Sequence, residues 1–378
     1  MNFKKGIRNF SVTGKLKLTN NTFNIDKQKE GSNYVYSNAN LVLDYGQGNV
    51  FCNLVGGHFV TGNNILYALG IKEEDGKIKT DYQKQIKVPY EKRFDDSILK
   101  TISMESFTVF NIEKDADGKL ISKKFLSKED AVKYLQATLV DGMILNISGD
   151  ISFRVDEQGK TLFTLNIKRI YLNERENPVL HADFTMTVIT DKDSYDSTEG
   201  VDENGMVEMN CFVTEYMKEY RGVEKSVVPL PFKFYFDTKV SENWKKIINE
   251  YFRPRNKYLA ETTIEGSIRS IGNTQSVSLD DVTEDVRQLV EFGLISPEEL
   301  ARIATNNNSL VQMMVFNRPR VIIQDGKMSI LSNKEKYQES EFDFTNREKE
   351  TAKEKVKAET PKITAKTDDA LFAELFGN

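Results

Sequence analysis

Alternation of apolar and polar residues, the two-residue period of a half-buried strand, runs through most of the chain. In the segment Gly14 to Leu18, Leu16 and Leu18 fall on one face, Lys15 and Lys17 on the other. From Tyr34 to Tyr45, Val35, Ala39, Leu41 and Leu43 share a face opposite Tyr34, Tyr36, Asn38 and Asn40. Gly46, Gly48 and Asn49 supply a turn before a further strand at Val50 to Val55. Gly56-Gly57 predicts a bulge or a barrel corner.

Ser127 to Asp130 has capping-box form and predicts a short helix running to Leu139. Residues 143–172 then read as a long hairpin turning at Asp156 to Gly159. Its apolar side carries Ile151, Phe153, Val155, Phe163, Leu165 and Ile167; Arg154, Thr164, Asn166 and Lys168 oppose them. Arg169 falls on the apolar parity unless a bulge intervenes. Further strands are predicted at 181–190, 206–213, 227–236 and 262–271, with Pro229 and Pro231 suited to a sheet edge. An amphipathic helix is predicted over 241–252, with Ser241 as its cap. A helical hairpin follows, from Asp280 to Phe292 and from Ser296 to Thr305.

These elements predict a mainly β fold with accessory helices (α+β): two OB-like barrels, a helical hairpin and a disordered C-terminal tail. The expected divisions are 1–125 for the first barrel and 126–278 for the second with its amphipathic helix. Residues 279–330 then hold the helical hairpin and a closing strand, and 331–378 a charged linker with an acidic–hydrophobic tip. No repeat in the sequence ties the two units together.

The chain has 378 residues, 39% hydrophobic and 29% charged, the range of a soluble globular protein with about two domains. Two separated cysteines, Cys52 and Cys211, exclude a disulfide scaffold and a cysteine-type zinc site. The N-terminus lacks a signal-peptide core, and no run is long enough for a membrane helix, so a cytoplasmic location is expected. Two histidines, His58 and His181, disfavour His-based catalysis. Phosphate-loop, nucleophile-elbow and zincin motifs are all missing. The expectation is therefore no enzyme, no cofactor and no metal site. Asp141, Asp150 and Asp156 leave a metal-dependent nuclease as an alternative.

A net charge of −5 hides its distribution. Residues 191–208, expected as a solvated loop, hold seven acids and one lysine, and residues 331–378 eleven acids and nine bases. The remaining chain carries +3. On the first unit, Lys15 and Lys17 share a solvent face with Tyr34 and Tyr36, combining phosphate-binding cations with rings on which bases stack. Residues 31–70 hold one charge, Asp44, and seven asparagines, which equally suits an assembly surface of a virion or interaction protein. On the second unit, Arg154, Lys160, Lys168 and Tyr171 form the stronger electrostatic face. Arg253, Arg255 and Lys257 form a further basic cluster after the Trp244 helix.

The C-terminus places Asp368 and Asp369 before Leu371, Phe372, Leu375 and Phe376, four apolar residues that would share one helix face. An acidic–hydrophobic tip on a charged tether is the form of a partner-docking peptide. Together, the segment Asn33 to Gly46, the hairpin from Gly149 to Leu172 and the terminus from Asp368 resemble the single-stranded DNA-binding proteins of tailed bacteriophages. Bacterial single-strand binding proteins also end in an acidic tip with a terminal hydrophobic pair. This chain lacks their Pro-Phe ending and continues into Gly377-Asn378. The resemblance implies single-stranded DNA binding without strong sequence preference in phage DNA replication or recombination. It also implies that the tip recruits replication or recombination proteins in the host cytoplasm. No membrane partner is expected.

Overall fold

The computed structural model describes residues 3–340, except 29, 197–199, 203, 222, 241, 256, 272–282, 293–310, 325 and 339. The chain opens with β1 (Arg8–Lys17), β2 (Phe23–Gln28), β3 (Tyr34–Asp44) and β4 (Asn49–Phe59). An excursion follows, with a long hairpin of β5 (Ile65–Glu74) and β6 (Lys77–Pro89), helix α1 (Asp96–Leu99), and short strands β7 (Thr108–Asn111) and β8 (Lys123–Phe125). Helix α2 (Lys128–Thr138) then leads into β9 (Ile144–Val155) and β10 (Thr161–Leu172). Beyond these come β11 (His181–Thr190), α3 (Lys192–Asp196), β12 (Met206–Tyr220), β13 (Val223–Asp237), α4 (Trp244–Tyr251) and β14 (Tyr258–Ile271). The last described elements are α5 (Glu284–Glu291), β15 (Val311–Pro319), β16 (Val321–Gln324), β17 (Lys327–Ile330) and β18 (Ser332–Gln338).

Strand pairing closes a five-stranded barrel: β1 with β3, β3 with β4, β4 with β10, β10 with β9, and β9 back to β1. Only β4 and β10 run parallel in this circuit. Helix α2, between the third and fourth barrel strands, buries Ala131, Val132 and Leu135 against Leu41, Leu54 and Ile147 in the same core. This strand order with an intervening helix is that of an OB barrel.

The same circuit recurs downstream. Strand β11 pairs with β12, β12 with β13, β13 with β15 in parallel, β15 with β14, and β14 with β11. Helix α4 occupies the position of α2 and buries Trp244 and Ile248. The barrels join where β1 and β11 pair antiparallel, from Arg8↔Met186 to Thr13↔His181.

A short repeat becomes readable once the barrels are aligned. Ile147, Gly149 and Ile151 in β9 match Ile264, Gly266 and Ile268 in β14, each segment forming its barrel's fourth strand. A Cβ on Gly149 would lie 1.9 Å from the Asn166 carbonyl oxygen, and one on Gly266 2.1 Å from that of Val315. Both glycines lie beside a register shift, so each marks a tight, bulged approach to the fifth strand.

Several expectations need correction. The boundary expected after residue 125 runs through the first barrel, whose last two strands are β9 and β10. The excursion hides this in the sequence, because it separates β4 from α2 by residues 60–127. Strand β4 passes Gly56 and Gly57 in unbroken register with β3; Gly56 instead leaves room for the backbone at Lys128 and Glu129. The acidic segment after β11 contains α3, capped by Asp191, whose carboxylate accepts from the Ser194 N–H at 2.7 Å. The expected linker begins later, because β18 pairs with β14. Helix α4 starts at Trp244 without a side-chain cap, and Ser241 lies outside the described residues. So do the second helix of the expected hairpin and the whole C-terminal tip. Pro229 and Pro231 do sit where β13 has strand pairing on one side, since its pairing with β15 covers only Tyr235 and Phe236.

Candidate nucleic-acid interface

Parity along β3 turns Ala39, Leu41 and Leu43 inward and leaves Tyr34, Tyr36 and Asn40 half-buried on the outer face, where Asn38 is itself buried. On β4, Val50, Cys52 and Leu54 are buried, so Phe51, Asn53, Val55 and Phe59 face outward, Phe51 being 39% and Phe59 52% exposed. Cross-strand pairing sets Tyr34 opposite Phe59, Asn40 opposite Asn53, and Val42 opposite Phe51. The Tyr34 and Phe59 rings meet edge to face, with centroids 5.1 Å apart. Lys17 pairs opposite Val42 and Lys15 opposite Asp44, which brings both lysines onto this face. Lys17 donates to Asp44 at 2.9 Å and to Asn49 at 3.1 Å. The Lys17 ammonium, with the Gly46 N–H, holds the Asp44 carboxyl below its ordinary pKa.

The Phe51 end of this face opens into a cleft of about 600 Å³ between the barrels. One wall is the β9–β10 turn with Arg154, Lys160, Thr161 and Phe163; the other carries Phe232, Lys233 and Tyr235 of β13, and Gln312 of β15. The turn is held by Asp156, whose carboxylate accepts from the Gln158 N–H at 3.0 Å and the Lys160 N–H at 2.8 Å. Phe153 is buried and Phe163 half-buried; both rings pack edge-on against Phe232 of the other barrel. Arg154 and Lys160 are exposed and have no ion-pair partner among the described residues. Lys233 donates to Glu208 at 2.7 Å. Burial opposes its charge, but this ion pair raises its pKa above the ordinary lysine value, so it stays cationic.

The other expected residues lie elsewhere. Lys168 is exposed on β10 and pairs with Asp150 at 2.6 Å. A register shift between Ile167 and Arg169 turns Arg169 outward beside it, and Tyr171 is 38% exposed. Arg253, Arg255 and Lys257 occupy the α4–β14 junction, where Arg255 pairs with Glu335 of β18 at 2.8 Å. None of these three lines the cleft. Asp141 accepts from the Leu18 N–H at 2.7 Å, so the three carboxylates considered for a nuclease each have a separate structural partner. No group of three or more potential metal ligands comes together among the described residues.

Two buried carboxylates fix the scaffold behind the site. Glu129 on α2 receives hydrogen bonds from the His58 ring at 2.7 Å, Tyr90 at 2.8 Å and Lys133 at 2.7 Å. Burial opposes ionisation, yet those donors hold its pKa below the ordinary value. Burial and this carboxylate push the Tyr90 phenol up to about 12. His58 thereby ties β4 to α2, and Tyr90, which stacks on the His58 ring with centroids 5.0 Å apart, ties the excursion to both. At the seam between the barrels, Glu215 of β12 meets Arg8 of β1, Lys5 at 2.9 Å, and the Phe153 N–H of β9 at 3.1 Å. Burial raises its pKa, but these donors outweigh burial and bring it down to about 2.

No family model matches the chain, and no curated protein matches it in sequence. Among solved structures it is similar to the wild-type single-stranded DNA-binding protein from Thermus aquaticus. The TM-score is 0.30 and the identity 8%, over 71% of this chain and 87% of that one. At that distance the OB assignment rests on the strand circuits alone. No helix among the described residues is long and apolar enough to cross a membrane.

Sequence reasoning missed Phe51, Phe59, Lys233, Tyr235 and Gln312. A signal existed for the first four. Inward Val50, Cys52 and Leu54 put Phe51 outside, and inward Phe232, Phe234 and Phe236 put Lys233 and Tyr235 outside. Gln312 had none, because its wall exists only after the second barrel closes.

Proposed function

We propose that the protein binds single-stranded DNA without strong sequence preference along the outer face of β3 and β4 and through the cleft between the barrels. One observation carries this reading: a row of outward aromatic rings, from Tyr34 and Phe59 to Phe51, runs into a cleft holding the unpaired cations Arg154 and Lys160. Rings give sequence-tolerant stacking and cations neutralise phosphates. From Phe59 to Phe51 the face spans roughly 26 Å at about 3.3 Å per residue, room for several nucleotides. Lys15, Lys17 and Tyr36 extend the face, while Lys168 and Tyr171 on β10 and the Arg253, Arg255 and Lys257 cluster offer outlying contacts. The setting is phage DNA replication or recombination in the host cytoplasm. There the segment from Asp368 and Asp369 through Leu371, Phe372, Leu375 and Phe376 recruits partner proteins. This setting follows the sequence resemblance. Anisotropy of labelled oligothymidine with the whole chain tests the reading: tight binding at low salt, with weak binding to a duplex of equal length, is expected. No binding to the single strand overturns it.

A second reading, an assembly or virion protein, has one observation in its favour. Hairpin β16–β17 sets Val321 opposite Ile330 and Ile323 opposite Met328, with Ile323 74% and Met328 82% exposed. Stable self-association without affinity for oligothymidine would favour it.

A further inference from the structure

Two residues that line the inter-barrel cleft each carry a buried polar atom without a hydrogen-bond partner among the described residues: Oγ1 of Thr161 and Nε2 of Gln312. They come from different barrels, Thr161 opening β10 and Gln312 standing second in β15. Buried polar atoms without partners are costly and uncommon in folded proteins, so two such atoms on residues lining one cleft mark a place where a side-chain rotation would present them to an entering partner. The other walls define that partner's shape. Phe51, Phe163 and Tyr235 supply flat apolar surface, and Arg154 and Lys160 supply positive charge. A cleft of about 600 Å³ falls within the size range of ligand sites. Flat faces, a rim that needs hydrogen-bond acceptors and nearby cations together describe a nucleotide.

We propose that one base of a bound strand leaves the stack and inserts into this cleft, where Gln312 Nε2 donates to the base rim and Thr161 Oγ1 makes a second hydrogen bond. This rests on the single-strand reading above and adds to it a dedicated base pocket. The outer face of β3 and β4 holds bases by stacking alone, whereas the cleft holds one base by its edge. All four bases carry acceptors on their rims, so the pocket anchors the strand without selecting a sequence. Arg154 and Lys160 take the phosphates flanking the inserted base.

The test compares oligothymidine with an abasic sugar-phosphate oligomer of equal length, using the full chain and the double variant Thr161→Val/Gln312→Met. Removing two unpartnered polar atoms leaves the thermal midpoint unchanged or raised. Affinity for oligothymidine falls about ten-fold, the worth of two ordinary hydrogen bonds. Affinity for the abasic oligomer and the salt dependence stay at their parental values. Thr161→Ser, which keeps the hydroxyl, retains parental affinity, and Gln312→Met alone shows part of the loss. Parental affinity of the double variant for oligothymidine overturns the pocket and leaves the single-strand reading standing, as when water alone satisfies both atoms. Equal losses on both oligomers also overturn it, because they show a structural role. Failure of the parent protein to bind oligothymidine overturns both.

Discussion

Phe51 stands outside the first barrel because its neighbours Val50 and Cys52 fill the inner face, and its ring therefore meets water and the cleft. Phe51→Ala removes a stacking surface and should weaken oligothymidine binding by roughly 1–3 kcal/mol, about 5- to 150-fold, without changing its salt dependence. A variant as tight as the parent would remove Phe51 from the site. Glu215 works in the opposite direction, on stability. Its pKa of about 2 lies below the free value of 4.5, so it stabilises the fold above that free value. That contribution fades as pH falls from the free value toward about 2. Glu215→Gln leaves Arg8 without its counter-charge and should cost about 3 kcal/mol at neutral pH. Denaturant melts at pH 7 and in acid check both statements: the parent–variant gap should shrink in acid. At this scale the sequence was half legible. Parity alone exposed Tyr34, Tyr36, Lys15 and Lys17, since a strand obeys its two-residue period wherever one face is buried. Glu215 was opaque, because its partners Arg8, Lys5 and Phe153 come from distant parts of the chain.

Gly149 and Gly266 do for the elements what these side chains do singly. Each lets the fourth strand of its barrel press against the fifth beside a bulge, at a spacing no Cβ tolerates. Gly149→Ala and Gly266→Ala should each destabilise the protein by about 3 kcal/mol or more. Thermal melts of the two variants check this, and a near-parental midpoint in either would show that its strands can part freely. The bulge beside Gly149 also decides where Arg169 points, by adding one residue to β10 between Ile167 and Ile170. Strands were readable from alternation and α2 from its Ser127 cap, which accepts from the Asp130 N–H. The division between barrels was not readable. Residues 60–127 interrupt the first OB circuit with a lobe that has its own small core of Ala68, Val88, Ile102, Phe107 and Val109. Continuity along the sequence therefore assigned β9 and β10 to the wrong barrel.

Across the whole molecule, the net charge of −5 gives way to the placement of individual cations. Lys15, Arg154 and Lys160 have no ion-pair partner among the described residues. Lys17, Lys168 and Lys233 are held by Asp44, Asp150 and Glu208 and can exchange those carboxylates for phosphates. Three to six phosphate contacts correspond to a slope of log K against log salt between about −2 and −4 for a single strand. The most direct measurement is a titration of oligothymidine by the full chain from about 50 to about 200 mM salt, repeated with Arg154→Ala/Lys160→Ala. A linear dependence with a slope between about −2 and −4, reduced by about 1.4 in the variant, is the expected result. Absence of binding at the lowest salt, or a slope identical in parent and variant, would contradict the account.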